Sequence, residues 1–95
     1  MLNIRRQILK FLNRQVEQTR IGKILKQWKD EAECRGVIQY SYSYSTNTLT
    51  IYTAFPGYLI GKGGERINRY KERISNELRK HISIQLIETE LEYID

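Results

Sequence analysis

The sequence holds a single cysteine, Cys34, and a single histidine, His81. One cysteine excludes an intramolecular disulfide, and one histidine leaves no cluster with metal-ligand spacing. No apolar run approaches the roughly 20 residues that a membrane span needs, and no stretch reads as a signal-peptide core. No Ser/His/Asp, Cys/His or paired-carboxylate set is legible along the chain. The expectation is therefore a protein without catalysis, metal or cofactor, in a reducing compartment, the cytoplasm in the first instance. Charge is missing too, but only locally: residues 36–56 contain no Lys, Arg, Asp or Glu.

What is present bounds the chain from the other side. Ninety-five residues with 40% apolar content and clear periodic patterning describe one small folded domain. The net charge of +5 is unevenly spread. Residues 1–35 hold nine Lys/Arg against four Asp/Glu, residues 57–81 hold seven against three, and residues 82–95 hold four acids alone. Positive helical segments beside neutral strands imply a polyanion approached from one side.

Residues 3–18 read as an amphipathic helix, with Ile4, Ile8, Phe11, Leu12 and Val16 at helical spacing and Leu9 alongside. A second pattern over 20–34 places Ile21, Ile24, Leu25, Trp28 and Ala32 on one stripe, with Gly36 as its C-cap. Whether Gly22 interrupts one long helix or separates two stays open. The first fifteen residues are Arg-rich and acid-free, as organellar presequences are, but they are poor in Ser and show no cleavage site. A structural or RNA-contacting helix is the preferred reading. We divide the chain into a basic amphipathic extension, 1–19, and a domain, 20–95.

From Val37 the period becomes two. Ile38, Tyr40, Tyr42 and Tyr44 alternate with Gln39, Ser41 and Ser43, the mark of a strand with one aromatic face. That face is either core packing, which we favour, or a base-stacking platform. Ser45 to Thr48 forms a hairpin turn with Asn47 at positive φ, and Leu49 to Thr53 returns as the second strand. Pro56 suits the first turn of a short helix ending at Ile60. A further helix over 64–80 sets Ile67, Tyr70, Ile74 and Leu78 on a core face beside a basic stripe of Arg66, Arg69, Arg73 and Lys80. Ile82 to Leu86 alternates again as a third strand, with His81 at the helix C-terminus and an acidic end over 88–95.

Between the last two helices lies Ile60-Gly61-Lys62-Gly63-Gly64-Glu65-Arg66-Ile67. Glycines at a helix N-terminus let a phosphate reach unpartnered backbone N–H groups, and Lys62 adds a cation at the tip. The spacing fits neither a P-loop nor a dinucleotide fingerprint, since Gly63 follows Lys62 and Arg66 stands where the third glycine would be. Gly61 and Gly64 could also merely cap and open two helices.

The run Ile60-Gly61-Lys62-Gly63-Gly64 with Ile67, approached through Thr53-Ala54-Phe55-Pro56-Gly57, resembles the GXXG segment of type II KH domains over residues 49–87. The resemblance implies an α+β fold in the order helix, strand, strand, helix, helix, strand, with a three-stranded mixed sheet backed by helices on one face. It also implies single-stranded RNA as partner, about four nucleotides long, with single-stranded DNA not separated from it. Carried over by position, Gly61, Lys62, Gly63 and Gly64 would meet phosphates, and Arg66 a phosphate or base edge. Arg69 and Arg73 would extend the basic side, while Leu59, Ile60 and Ile67 would floor an apolar groove. The family's loop often has a second basic residue where this chain has Gly63. An alternative is a shortened or split ribosomal small-subunit KH protein, a structural rRNA-binding subunit in a larger ribonucleoprotein assembly. An organellar, ribosome-associated location goes with it.

Overall fold

The helix that opens the chain is not interrupted at Gly22. A computed structural model, which describes residues 2–36 and 38–90 and leaves aside the side chains of residues 2–6 and 11, shows one helix, α1, over Leu2–Ala32. Gly22 costs such a helix about 1 kcal/mol relative to Ala. Its reason is proximity: a Cβ there would stand 3.3 Å from the Tyr40 hydroxyl, which donates to the Gln18 carbonyl. Nor does Gly36 cap this helix. The Cys34 amide bonds the Lys29 carbonyl and the Glu33 amide the Asp30 carbonyl, with Glu33 itself at φ 52. This is the Schellman pattern with a glutamate in the position that usually takes glycine.

A single helix places its two apolar patterns on different sides. At about 100° per residue, Ile8, Leu9, Leu12 and Val16 centre roughly 160° away from Ile21, Ile24, Leu25 and Trp28. The second group is buried, while the first is at least half exposed. Around residues 14–18 it is the polar side of α1 that faces the domain. Arg14 lies over the Tyr44 ring at 4.6 Å, and Glu17 pairs with Lys80 at 2.9 Å. Ile4 and Phe11, expected on the same apolar stripe as Ile8, Leu12 and Val16, have side chains outside the described ones.

The strands β1 (Gln39–Ser43) and β2 (Thr48–Thr53) form an antiparallel hairpin, with Asn47 at φ 49 in its turn as expected. β3 (Ser83–Glu88) pairs parallel to β2, giving the order β1-β2-β3. Thr53 carbonyl extends the ladder by accepting the Thr89 amide at 2.9 Å. The expected end of the acidic tail, 91–95, and the start of the strand pattern at Val37 lie outside the described residues.

Alternation decides the faces. Tyr40-Ile51-Leu86 and Tyr42-Leu49-Ile84 make cross-strand rows on the core side, where burying a side chain such as Leu49 or Ile51 is worth roughly 1.5–3 kcal/mol. Rows such as Ser41-Thr50-Gln85 line the other side. The tyrosine row is core packing. Tyr42 is buried, while the Tyr40 and Tyr44 hydroxyls donate to the α1 carbonyls of Gln18 and Arg14.

Between β2 and β3 run α2 (Pro56–Ile60), a tight turn over Lys62–Gly64, and α3 (Glu65–Leu78). Pro56 opens α2, where its missing N–H costs nothing. Tyr70, Ile74 and Leu78 of α3 are buried and Ile67 is packed on them. α3 ends two residues before the expected limit because Arg79 turns to φ 55, and the Lys80 amide bonds the Ser75 carbonyl. His81 therefore stands exposed beyond the helix. Trp28 ties the three helices together: its ring stacks on Tyr70 with centroids 5.0 Å apart, and its indole N–H donates to the Leu59 carbonyl at 3.0 Å.

Candidate nucleic-acid interface

The turn from α2 into α3 is built from backbone that only glycine adopts easily. Gly61 has φ 75 and ψ 178, Gly63 φ 64 and ψ 16, and Gly64 φ 77 and ψ 10. Gly61 is the most constrained of the three. Its combination of positive φ with extended ψ is almost closed to other residues, and a Cβ would stand 2.8 Å from the Arg66 Cβ. At Gly63 the space is open to 4 Å and only the left-handed conformation matters. A basic residue in its place would carry that strain.

The hydrogen bonds closing the turn use the amides of Gly61, Gly64 and Glu65, which reach the carbonyls of Gly57, Gly61 and Lys62. The amides of Lys62 and Gly63 take no part in these bonds. Gly64 precedes α3 without a side-chain cap, so no side chain bonds over the positive end of that helix dipole. Lys62 is exposed at the tip. Beside the turn lies an open concavity of about 430 Å³ lined by Phe55, Gly57, Tyr58, Gly61, Lys62 and Arg66.

The expected contact residues divide into two groups. Gly61 to Gly64, Ile60 and Arg66 stand together at the turn. Ile60 is 37% exposed and able to line a groove, whereas Leu59 is 1% exposed and supports the turn from within the core. Ile67 is half-buried against that core. Arg66 is already engaged: its terminal amino group donates to the Tyr58 carbonyl at 2.6 Å, and its buried Nε lies 3.6 Å from the Glu31 carboxylate.

Arg69 and Arg73 lie apart from the turn, on the seam with α1. Arg69 donates through both terminal nitrogens to Glu31, and Arg73 bonds the Gln27 side-chain oxygen. Both guanidinium groups also stand over Tyr70, at 5.4 and 5.7 Å from its centroid. Hydrogen bonds from Arg69 and then Tyr70 hold the Glu31 carboxyl down at about 2, against an ordinary 4.5. Burial, and then the bond to Glu31, push the Tyr70 hydroxyl up. The acidic neighbours of these arginines on α3 do not hold them; Glu77 pairs with Arg20 of α1 at 3.7 Å.

Sequence reading passed over Phe55 and Tyr58. Both are exposed, at 39% and 53%, and their rings meet edge to face with centroids 6.1 Å apart. The available signal was their spacing of three around Pro56-Gly57 at the start of a short helix, which leaves both on the outside while Leu59 turns in.

The comparison with known families decides the class, since the family model described as KH domain matches residues 40–92, more than half of the chain. The chain belongs to the KH domain family. Its α+β architecture, with β2 and β3 parallel in a mixed three-stranded sheet, is that of the type II KH arrangement. Among curated proteins, the small ribosomal subunit protein uS3 of Bacteroides thetaiotaomicron, of Phocaeicola vulgatus and of Flavobacterium johnsoniae are each 38% identical over 48 residues. That stretch is 50% of this chain and 20%, 20% and 19% of the respective relatives. The match thus spans about a fifth of their length. Among the described residues of this KH domain no helix is long and apolar enough to cross a membrane, and no group of three or more His, Cys, Asp or Glu could hold a metal ion.

Proposed function

We propose that this KH domain is a non-catalytic module for single-stranded RNA that holds phosphates on the turn Gly61–Gly64. The observation that carries the reading is the turn itself. Three positive-φ glycines leave its surface without side chains apart from Lys62, at the uncapped start of α3. Backbone amides, helix dipole and one exposed cation suit a phosphodiester oxygen and are indifferent to base identity. Ile60, Ile67 and the concavity beside the turn supply apolar surface for unpaired bases, which a duplex cannot present. Arg66 closes one side. Arg69 and Arg73 contribute to the field around it more than to direct contact. On this reading residues 1–19 are an extension and 20–95 the binding domain.

A second reading is favoured by the relatives named above, each of them uS3: the chain acts as part of a small-subunit protein on ribosomal RNA, in the compartment where ribosomes assemble. Sedimentation in native extract separates the two. Travel with small ribosomal subunits supports the subunit reading, and a slow free species supports the independent module.

The loop is tested by Lys62→Asp, a charge reversal at an exposed position that should leave stability within about 0.5 kcal/mol. Affinity for short single strands should fall at least tenfold, about 1.4 kcal/mol. Unchanged affinity beside an unchanged melt would mean that Gly61–Gly64 only joins two helices.

A further inference from the structure

Two concavities share one pair of rings. Phe55 and Tyr58 line the space beside the glycine turn, together with Lys62 and Arg66, and they also line a second space of about 370 Å³ with Glu33 and Arg35. A cation therefore stands on either side of an exposed aromatic step: Lys62 on the turn and Arg35 beyond the end of α1. Neither ring is needed by the core. The buried cluster is complete without them, and each leaves more than a third of its surface exposed.

What fixes the step is local backbone. The Phe55 amide donates to the buried Thr53 hydroxyl at 3.2 Å, the Tyr58 amide to the Phe55 carbonyl at 3.2 Å, and the Tyr58 carbonyl receives Arg66 at 2.6 Å. Gly57 lies between the rings in sequence, and a Cβ there would meet nothing within 4 Å. The aromatic pair is held in place, with open space in front.

We propose that Phe55 and Tyr58 form a stacking site for one unpaired nucleobase, next to the nucleotide whose phosphate the glycine turn holds. A flat π-face with a cation on either side is the arrangement that single-stranded nucleic acid complements, because every base offers a π-face whatever its hydrogen-bonding edge. Arg66 adds a guanidinium near the same space. The site thus adds affinity with little sequence preference. It lies over Phe55, Gly57 and Tyr58, outside the Ile60 and Ile67 surface, and it rests on the turn being a phosphate site.

The test uses the full chain and a short single-stranded RNA in which one position at a time is made abasic, so that phosphates stay while a base is lost. With wild type, one abasic position should weaken binding about tenfold. With Tyr58→Leu, and separately with Phe55→Leu, the intact and that abasic strand should bind within twofold of each other. The proposal is overturned if both variants keep the tenfold preference, or if they weaken intact and abasic strands equally. It is also overturned if wild type binds the strand with no single base mattering. Failure of the phosphate reading looks different: Lys62→Asp then leaves the affinity of every strand unchanged.

Discussion

Glu31, near the end of α1, accepts both terminal nitrogens of Arg69 on α3 and also the hydroxyl of Tyr70, at 2.9 Å. Two residues 38 apart in sequence therefore decide how much of the basic stripe on α3 faces solvent unpaired. The depressed Glu31 carboxyl gives the relationship a pH signature. A carboxylate held at about 2 when folded, and near 4.5 otherwise, stabilises the fold above 4.5 and loses that contribution as pH falls towards 2. In that window the unfolded chain takes up a proton that the folded one refuses. Wild type should lose stability faster than Glu31→Gln as pH is lowered from 4.5, with the two converging at the acid end. Parallel melting curves across the window would show that the pair is silent.

Gly61 and Gly63 should answer substitution differently although both have positive φ. Gly61→Ala meets a disfavoured backbone and the 2.8 Å approach to the Arg66 Cβ, and should cost more than about 2 kcal/mol. Gly63→Asn, in open space and a left-handed conformation that asparagine tolerates, should cost less than about 1 kcal/mol. Thermal melts of the two proteins decide it. Equal losses would mean that the turn relaxes around either side chain.

The distinction between local and distant information explains what the sequence disclosed. Period-two alternation placed the tyrosine face, Asn47 and Pro56 carried their own turn preferences, and the four apolar residues of α3 shared one face. Each is set by neighbours in the chain. The Glu31–Arg69 pair is not, and nothing near Arg69 announces it. The ends of α1 and α3 were missed because Glu33 and Arg79 adopt the left-handed cap without being glycine. The reversal of the apolar face within α1 was hidden for another reason: two stripes have a relative phase only once the helix is known to run through Gly22.

That reversal separates two apolar sets on one helix, Ile8, Leu9, Leu12 and Val16 outside and Ile21, Ile24, Leu25 and Trp28 inside, with opposite energetics. Leu12→Gln, on the outward stripe and 51% exposed, should shift stability by no more than about 0.5 kcal/mol. Leu25→Ala, 6% exposed in the same helix, should cost about 2–5 kcal/mol. A large loss for Leu12→Gln in chemical denaturation would show that the outward stripe is covered in solution.

Arg79 offers a gain. A non-glycine residue at φ 55 carries roughly 1 kcal/mol of strain that glycine does not, partly offset by glycine's greater freedom when unfolded. Arg79→Gly should therefore raise stability by about 0.5 kcal/mol. A lower melting temperature would mean that the Arg79 side chain makes contacts worth more than the strain.

The final prediction joins the Glu31 pair to RNA binding. If Lys62, Arg66 and Arg69 each neutralised a phosphate, log K would fall against log salt with a slope of about −2, at roughly −0.7 per contact on a single strand. Arg69 is held by Glu31, so the proposed interface has two contacts at most and a slope of about −1.4. Removing the carboxylate should release the arginine. Glu31→Gln, measured well above pH 5 where the wild-type carboxylate is charged, should steepen the slope by up to about 0.7 while tightening binding at low salt. Lys62→Asp should shallow it, since a cation at the turn becomes an anion. Opposite changes from these two substitutions would assign the salt dependence to this turn and its flank. If Glu31→Gln leaves the slope unchanged, Arg69 lies too far along α3 to reach the strand, and the interface ends at Arg66. A flat slope in wild type would remove phosphate from the account altogether.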